Sequence, residues 1–155
     1  MSRTVIFLAL TMACAASAQD TEPVAFTFDH VALSVSDVDR SRAFYEAVFG
    51  MQNITDRPPV EGVRWLSMGG GKELHLLAVV DGEVTVNQAV HISVKTNDFD
   101  RLLVILDERQ VEYTTWLGTE REVTVTDSGT RQLYLRDPDG YWIEVNSLPN
   151  SRDRN

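Results

Sequence analysis

The chain has 155 residues, 14 Lys and Arg against 23 Asp and Glu, a formal net charge of −9 and 43% hydrophobic content. That length suits one ordinary domain with a core of its own. The acidic balance argues against a nucleic-acid backbone or an acidic membrane surface as partner, because both are recognised through Lys and Arg. The single cysteine, Cys14, rules out an intrachain disulfide.

The first segment reads as a leader. Arg3 precedes an apolar run from Val5 to Ala16, and Ala16-Ser17-Ala18 provides small residues ahead of Gln19. This is the pattern of a secretory signal peptide over residues 1–18. The run is too short for a comfortable permanent span. Cleavage after Ala18 removes Arg3 and no acid, taking the formal charge from −9 to −10. Thr11-Met12-Ala13-Cys14 is a poor lipidation motif, so the expectation is an exported, periplasmic or secreted protein without cysteine and without a membrane anchor.

From Phe26 the chain carries an internal repeat. His30, Asp37, Asp39 and Arg40 recur as His91, Asp98, Asp100 and Arg101, each 61 positions later. Trp65-Leu66, Gly71 and His75 correspond to Tyr134-Leu135, Gly140 and Glu144, now 69 positions apart. The second unit therefore holds about eight extra residues in its middle loops. The units span about 26–82 and 87–147, with a polar tail over 148–155.

Each unit reads as a strand, a helix and three strands. Val31, Leu33 and Val35 alternate with His30, Ala32 and Ser34, the period of a half-buried strand. Ser36 is the candidate N-cap of the first helix and Gly50 its C-terminal glycine. Phe99, Leu102, Leu103 and Leu106 form the apolar stripe of the second helix. Gly69-Gly70-Gly71 and Asp137-Pro138-Asp139-Gly140 read as hairpin turns, and Asp37, Asp39, Arg40, Asp98, Asp100 and Arg101 as helix-start capping and surface pairs.

Strand alternation then sorts the polar side chains. If Val31, Leu33, Val35, Leu74 and Leu76 pack under the first helix, His30, Glu73 and His75 face the other way. By the same count Ile92, Val94, Ile143 and Val145 pack, and His91 and Glu144 face away. His30, His75, His91 and Glu144 thus share the helix-free face and include every histidine of the chain. Three imidazoles and a carboxylate on rigid strands make a divalent metal site, with zinc, nickel, cobalt, manganese or iron as the candidates. Taken singly, each histidine reads better as a hydrogen-bonded residue on a half-exposed sheet; it is the set, at equivalent places of the repeat, that points to a metal. Trp65, Trp116, Trp142, Tyr134 and Arg64 are placed to line a substrate cup, though core or edge packing explains the aromatics as well; Lys95 reads as a rim lysine.

The stretch His30 to Tyr45 with Phe49-Gly50-Met51, together with Arg136-Asp137-Pro138-Asp139-Gly140-Tyr141-Trp142-Ile143-Glu144-Val145, resembles the vicinal oxygen chelate superfamily. That superfamily includes glyoxalase I, bleomycin-resistance proteins and extradiol dioxygenases. The resemblance implies an α+β fold of two tandem βαβββ modules whose curved mixed sheet cups a metal. It carries the family's ligand positions onto His30, His75, His91 and Glu144, with Glu144 also the proton-moving base. Bacterial glyoxalase I usually has Glu where His75 stands, and Glu73 is the alternative carboxylate there. The implied activity is a lyase or isomerase acting on a small substrate with neighbouring oxygens, in a homodimer. A metal-free, ligand-sequestering protein and an iron-dependent dioxygenase are the other readings.

Overall fold

The computed structural model describes residues 25–79, 81–82 and 84–148. The expected leader, Cys14 and all of the polar tail after Leu148 lie outside the described residues.

The first unit runs β1 (His30–Ser34), α1 (Val38–Phe49), β2 (Gln52–Asn53), β3 (Val63–Gly69) and β4 (Lys72–Leu77). The second runs β5 (His91–Thr96), α2 (Phe99–Glu108), β6 (Tyr113–Thr114), β7 (Thr124–Val125), β8 (Arg131–Arg136) and β9 (Trp142–Ser147). The α+β class and the tandem order hold. The extra residues of the second unit form the long connection from β6 to β8, and they add β7, which pairs with β8.

The strands form two mixed sheets, ordered β1-β4-β3-β2 and β5-β9-β8-β6. In each, the first strand runs parallel to the last and the remaining pairs are antiparallel. Parallel pairing needs a crossover, and the helix of each unit belongs to it. Among the described strands β1 and β5 each have one partner, so both are edge strands.

The caps differ slightly from expectation. Asp37, not Ser36, caps α1: its carboxylate accepts the Asp39 and Arg40 amides, satisfying donors that the helix itself leaves free. Ser36 instead turns to Asp139 in the second unit. Gly50 closes the helix at φ 65°, where a side chain would be strained. Asp98 caps α2 by accepting the Arg101 amide.

Both sheets turn their apolar face toward one core. Leu33, Val35, Leu66, Leu74 and Leu76 of the first sheet join Leu133, Leu135, Ile143 and Val145 of the second, with the helices supplying Tyr45, Val48, Phe99, Leu102 and Leu106. Five of these leucines, Leu66, Leu74, Leu76, Leu133 and Leu135, are at most 1% exposed, so the merger of two units removes their apolar surface from water completely.

A polar latch ties the units at one place. The buried Tyr45 hydroxyl donates to Asp137 at 2.8 Å, and Asp139 accepts from the Ser36 amide, the Ser36 and Ser41 hydroxyls and the Arg40 guanidinium. Arg40 is therefore an inter-unit contact rather than a surface pair. Burial pushes the Asp137 carboxyl up, outweighing its hydrogen bonds. Burial also opposes ionisation of Asp139, but hydrogen bonds from Ser41 and Ser36 outweigh it and hold that carboxyl low.

Candidate functional site

The outer faces of the two sheets carry the predicted residues, and the parallel ladders explain their geometry. Ala32 stands opposite His75 on β4, and Ser93 stands opposite Glu144 on β9. The side chains two residues earlier, His30 and His91, are therefore diagonal neighbours of His75 and Glu144. A small residue beside each fourth-strand donor leaves room for that contact.

In the first unit the His30 and His75 rings stack, with centroids 4.1 Å apart and planes inclined by 10°. His30 Nδ1 lies 2.7 Å from the Asp29 carboxylate, which leaves Nε2 open. His75 is turned the other way, its Nε2 at 2.9 Å from Glu73. Glu73 is also held by Arg57 at 2.5 Å, and Arg57 sits over the Trp65 ring. The bonds from Arg57 and then His75 hold the Glu73 carboxyl below its ordinary range. Glu73 is thus the hydrogen-bond partner of His75.

In the second unit His91 Nδ1 is 2.9 Å from the Gln88 carbonyl oxygen, and its Nε2 is 3.1 Å from Glu144 Oε2. A carbonyl can only accept, so Nδ1 carries the proton. In the neutral ring Nε2 is then a lone pair aimed at a carboxylate oxygen. Two acceptors facing each other call for a proton or a cation between them. His30 and His91, equivalent in the repeat, are held alike at Nδ1, which is tied to an acceptor; Nε2 of His30 is open, and Nε2 of His91 points at Glu144. That is the orientation in which imidazole serves a metal, its other nitrogen fixed by a carboxylate or carbonyl.

Glu144 is clamped on both oxygens. Tyr134 donates to Oε2 at 2.6 Å, while Ser93, at 3.0 Å, and Asn146 donate to Oε1. Burial alone would raise its pKa, but the bonds from Tyr134, Asn146 and Ser93 outweigh it, so the carboxyl is held below its ordinary value. Burial and the bond to Glu144 push the Tyr134 hydroxyl well up, so it remains a donor.

The structure therefore brings the four predicted residues together as two pairs, His30 with His75 and His91 with Glu144. Among the described residues no group of three His, Cys, Asp or Glu side chains is gathered for a metal ion within one chain. The reason is architectural. Each pair sits on the face of its sheet turned away from the shared core, and no described hydrogen bond, ion pair or ring contact joins the two pairs.

Of the expected cup residues, Trp65 meets His75 edge-on, and Trp116 and Tyr134 pack against His91 and each other. Trp142 lies under Arg136. Arg64 does not join them: the strand alternation places it on the helix side, paired with Asp39. Tyr134 has a direct role that its type alone did not announce, although counting back from the β8–β9 turn places it opposite Glu144. Arg57 comes from a loop without periodicity and left no sequence signal.

Residues 27–145 match the model of the Glyoxalase/Bleomycin resistance protein/Dioxygenase superfamily. The chain is 31% identical to Glyoxylase I 4 of Arabidopsis thaliana over 135 residues, covering 79% of this chain and 73% of that protein. It is 29% identical to the uncharacterized protein YwbC of Bacillus subtilis (strain 168) over 122 residues, covering 75% and 93%. Among solved structures, a glyoxalase/dioxygenase from Nostoc punctiforme superposes with a TM-score of 0.64 at 21% identity, covering 90% of this chain and all of that one. Lactoylglutathione lyase from Agrobacterium tumefaciens superposes at 0.57 with 20% identity, over 81% and 96%. At that identity the structures speak for the fold alone. With two matching modules, the spatial pairing of the repeated positions and a family match over most of its length, the chain belongs to the Glyoxalase/Bleomycin resistance protein/Dioxygenase superfamily.

Proposed function

We propose that the protein is an exported, metal-dependent lyase or isomerase of glyoxalase type, acting on a small substrate with neighbouring oxygens. His30, His75, His91 and Glu144 are its metal ligands. The observation that carries the reading is His91 Nε2 facing Glu144 Oε2 with Nδ1 tied to the Gln88 carbonyl, an arrangement of paired acceptors matched by the free Nε2 of His30. A divalent zinc, nickel, cobalt, manganese or iron ion suits this donor set. When bound, it supplies Lewis-acid stabilisation of the negative charge developing on two substrate oxygens.

The chain's own residues supply the rest. Glu144 is ionised at neutral pH, because three donors favour its charged form, and it is the group placed to accept a substrate proton. Tyr134, Ser93 and Asn146 fix its direction. Trp65 and Trp116 stand edge-on to His75 and His91 and form the flanks of the site.

Because the two pairs face away from a common core, the complete site is shared between two copies in a homodimer: His30 and His75 from one, His91 and Glu144 from the other. The test is complementation. His30→Ala and Glu144→Ala homodimers should each lack metal by elemental mass spectrometry. Their hybrid should regain one metal per dimer, because one of its two sites combines two unaltered halves. A hybrid without metal would overturn the shared site, and full metal in both homodimers would overturn the ligand set. Absence of metal from the unaltered protein, with none taken up on titration, favours the ligand-sequestering reading. Export is tested by sequencing the N-terminus of protein from the periplasmic or secreted fraction, which should begin at Gln19.

A further inference from the structure

The repeat also exposes a difference at the two ends of the junction between the units. On one side the β8–β9 turn reaches the start of α1, where Asp139 meets Ser36, Arg40 and Ser41 and Asp137 meets Tyr45. The equivalent positions on the other side are Gly70 for Asp139 and Met68 for Asp137. By the same repeat, Asn97, Arg101 and Leu102 stand where Ser36, Arg40 and Ser41 do, and Leu106 where Tyr45 does. The β3–β4 turn therefore brings no carboxylate to α2.

A cavity of about 630 Å³ lies there, between the last turn of α1, the end of β3, the end of β5 and α2. Its walls include Phe49, Met51, Met68, Val94 and Ile105. Val94 is only half-buried, whereas Leu33, its equivalent in the first unit, is buried. The matching hollow beside the β8–β9 turn is about 470 Å³ and is lined by neither Arg40 nor Ser41, since Asp139 occupies that ground.

The cation placed to reach the larger cavity is Arg101; Lys95 also borders it, but on β5 it follows Val94 and belongs to the opposite face. Arg40 bonds Asp139, while no described residue offers an acceptor to the Arg101 guanidinium. The acids of the lining are Asp98, whose carboxylate already caps α2, and Glu46 on α1. An apolar hollow of several hundred cubic ångströms with a few convergent polar groups is the form of a small-molecule site. The other end of the same molecule shows which charge this place accepts.

We propose that the cavity between α1 and α2 binds a small organic carboxylate with an apolar body, its carboxylate paired with Arg101 and its body against Met51, Met68, Val94 and Ile105. This site is separate from the metal ligands, none of which lines it.

The test is calorimetric titration of the full chain with 4-phenylbutyrate and with 4-phenylbutan-1-ol, which keeps the body and loses the charge. The acid should bind at one equivalent, at least tenfold more tightly than the alcohol. Arg101→Gln should cost about tenfold, the loss of a charge-assisted bond. Ile105→Trp should fill the hollow and abolish binding. His30→Ala should leave binding unchanged, so loss of metal and loss of carboxylate binding are separable. Equal affinity for acid and alcohol, indifference to Arg101→Gln, loss in His30→Ala, or no binding at millimolar ligand would each overturn the proposal.

Discussion

The outer faces of the two units share one backbone plan and differ in chemistry. On the first, two imidazoles stack and the carboxylate beside them, Glu73, is tied to Arg57 and His75. On the second, one imidazole faces one carboxylate, and that carboxylate is braced by Tyr134, Ser93 and Asn146. The difference teaches that duplication conserved where donors project and freed what they are. One face offers nitrogen donors, the other a nitrogen and an oxygen, so the halves are complementary rather than redundant.

The sharpest way to break this comparison is to remove one donor from each face and titrate metal. Glu144→Ala deletes the one predicted carboxylate ligand and should weaken metal binding more than a hundredfold. His75→Ala should cost less, because His75 Nε2 is already engaged by Glu73. Equal losses would mean that the faces contribute equally. A smaller effect belongs to the latch that holds the faces in place. Tyr45→Phe leaves the buried Asp137 carboxylate without one donor and should cost about 1–3 kcal/mol in denaturant unfolding. Metal affinity per folded chain should not change.

Tyr134→Phe tests the brace itself. Removing a hydrogen bond to a ligating carboxylate typically weakens metal binding about 10–100-fold, and the lower end is expected because Ser93 and Asn146 still hold Oε1. The smallest effect is on pH dependence. Asp139 is held below its ordinary value of 3.8, so its contribution is fully present above that value and is lost as the pH falls through the lower, folded one. Asp137 is raised, so its protonation works in the opposite direction and favours the fold as the pH falls. Asp139→Asn keeps one acceptor for Ser36 and Arg40. It should cost about 1 kcal/mol at neutral pH and flatten the acid limb of thermal stability as the pH falls below the ordinary aspartate value of 3.8.

Much of this was legible before any coordinates. Strand alternation assigned Leu74, Leu76, Ile143 and Val145 to the core and His30, His75, His91 and Glu144 to the opposite faces, because the period of two is a local property of the pleat. The glycine stop of α1 and the two hairpin turns were equally local. The N-cap was misplaced by one residue, since Ser36 and Asp37 are both good caps and only the reach of Asp139 from the other unit decided between them.

The sequence by itself determined the repeat, the modules and the direction in which each donor points, since all three depend on contacts between near neighbours and on backbone periodicity. Tertiary structure decided which donors meet. Joining both apolar faces in one core left the His30–His75 and His91–Glu144 pairs on separate outer faces. It also set the Asp139 latch at one end and the open cavity at the other. These outcomes depend on side chains roughly a hundred positions apart, and no local pattern records how such distant surfaces fit together.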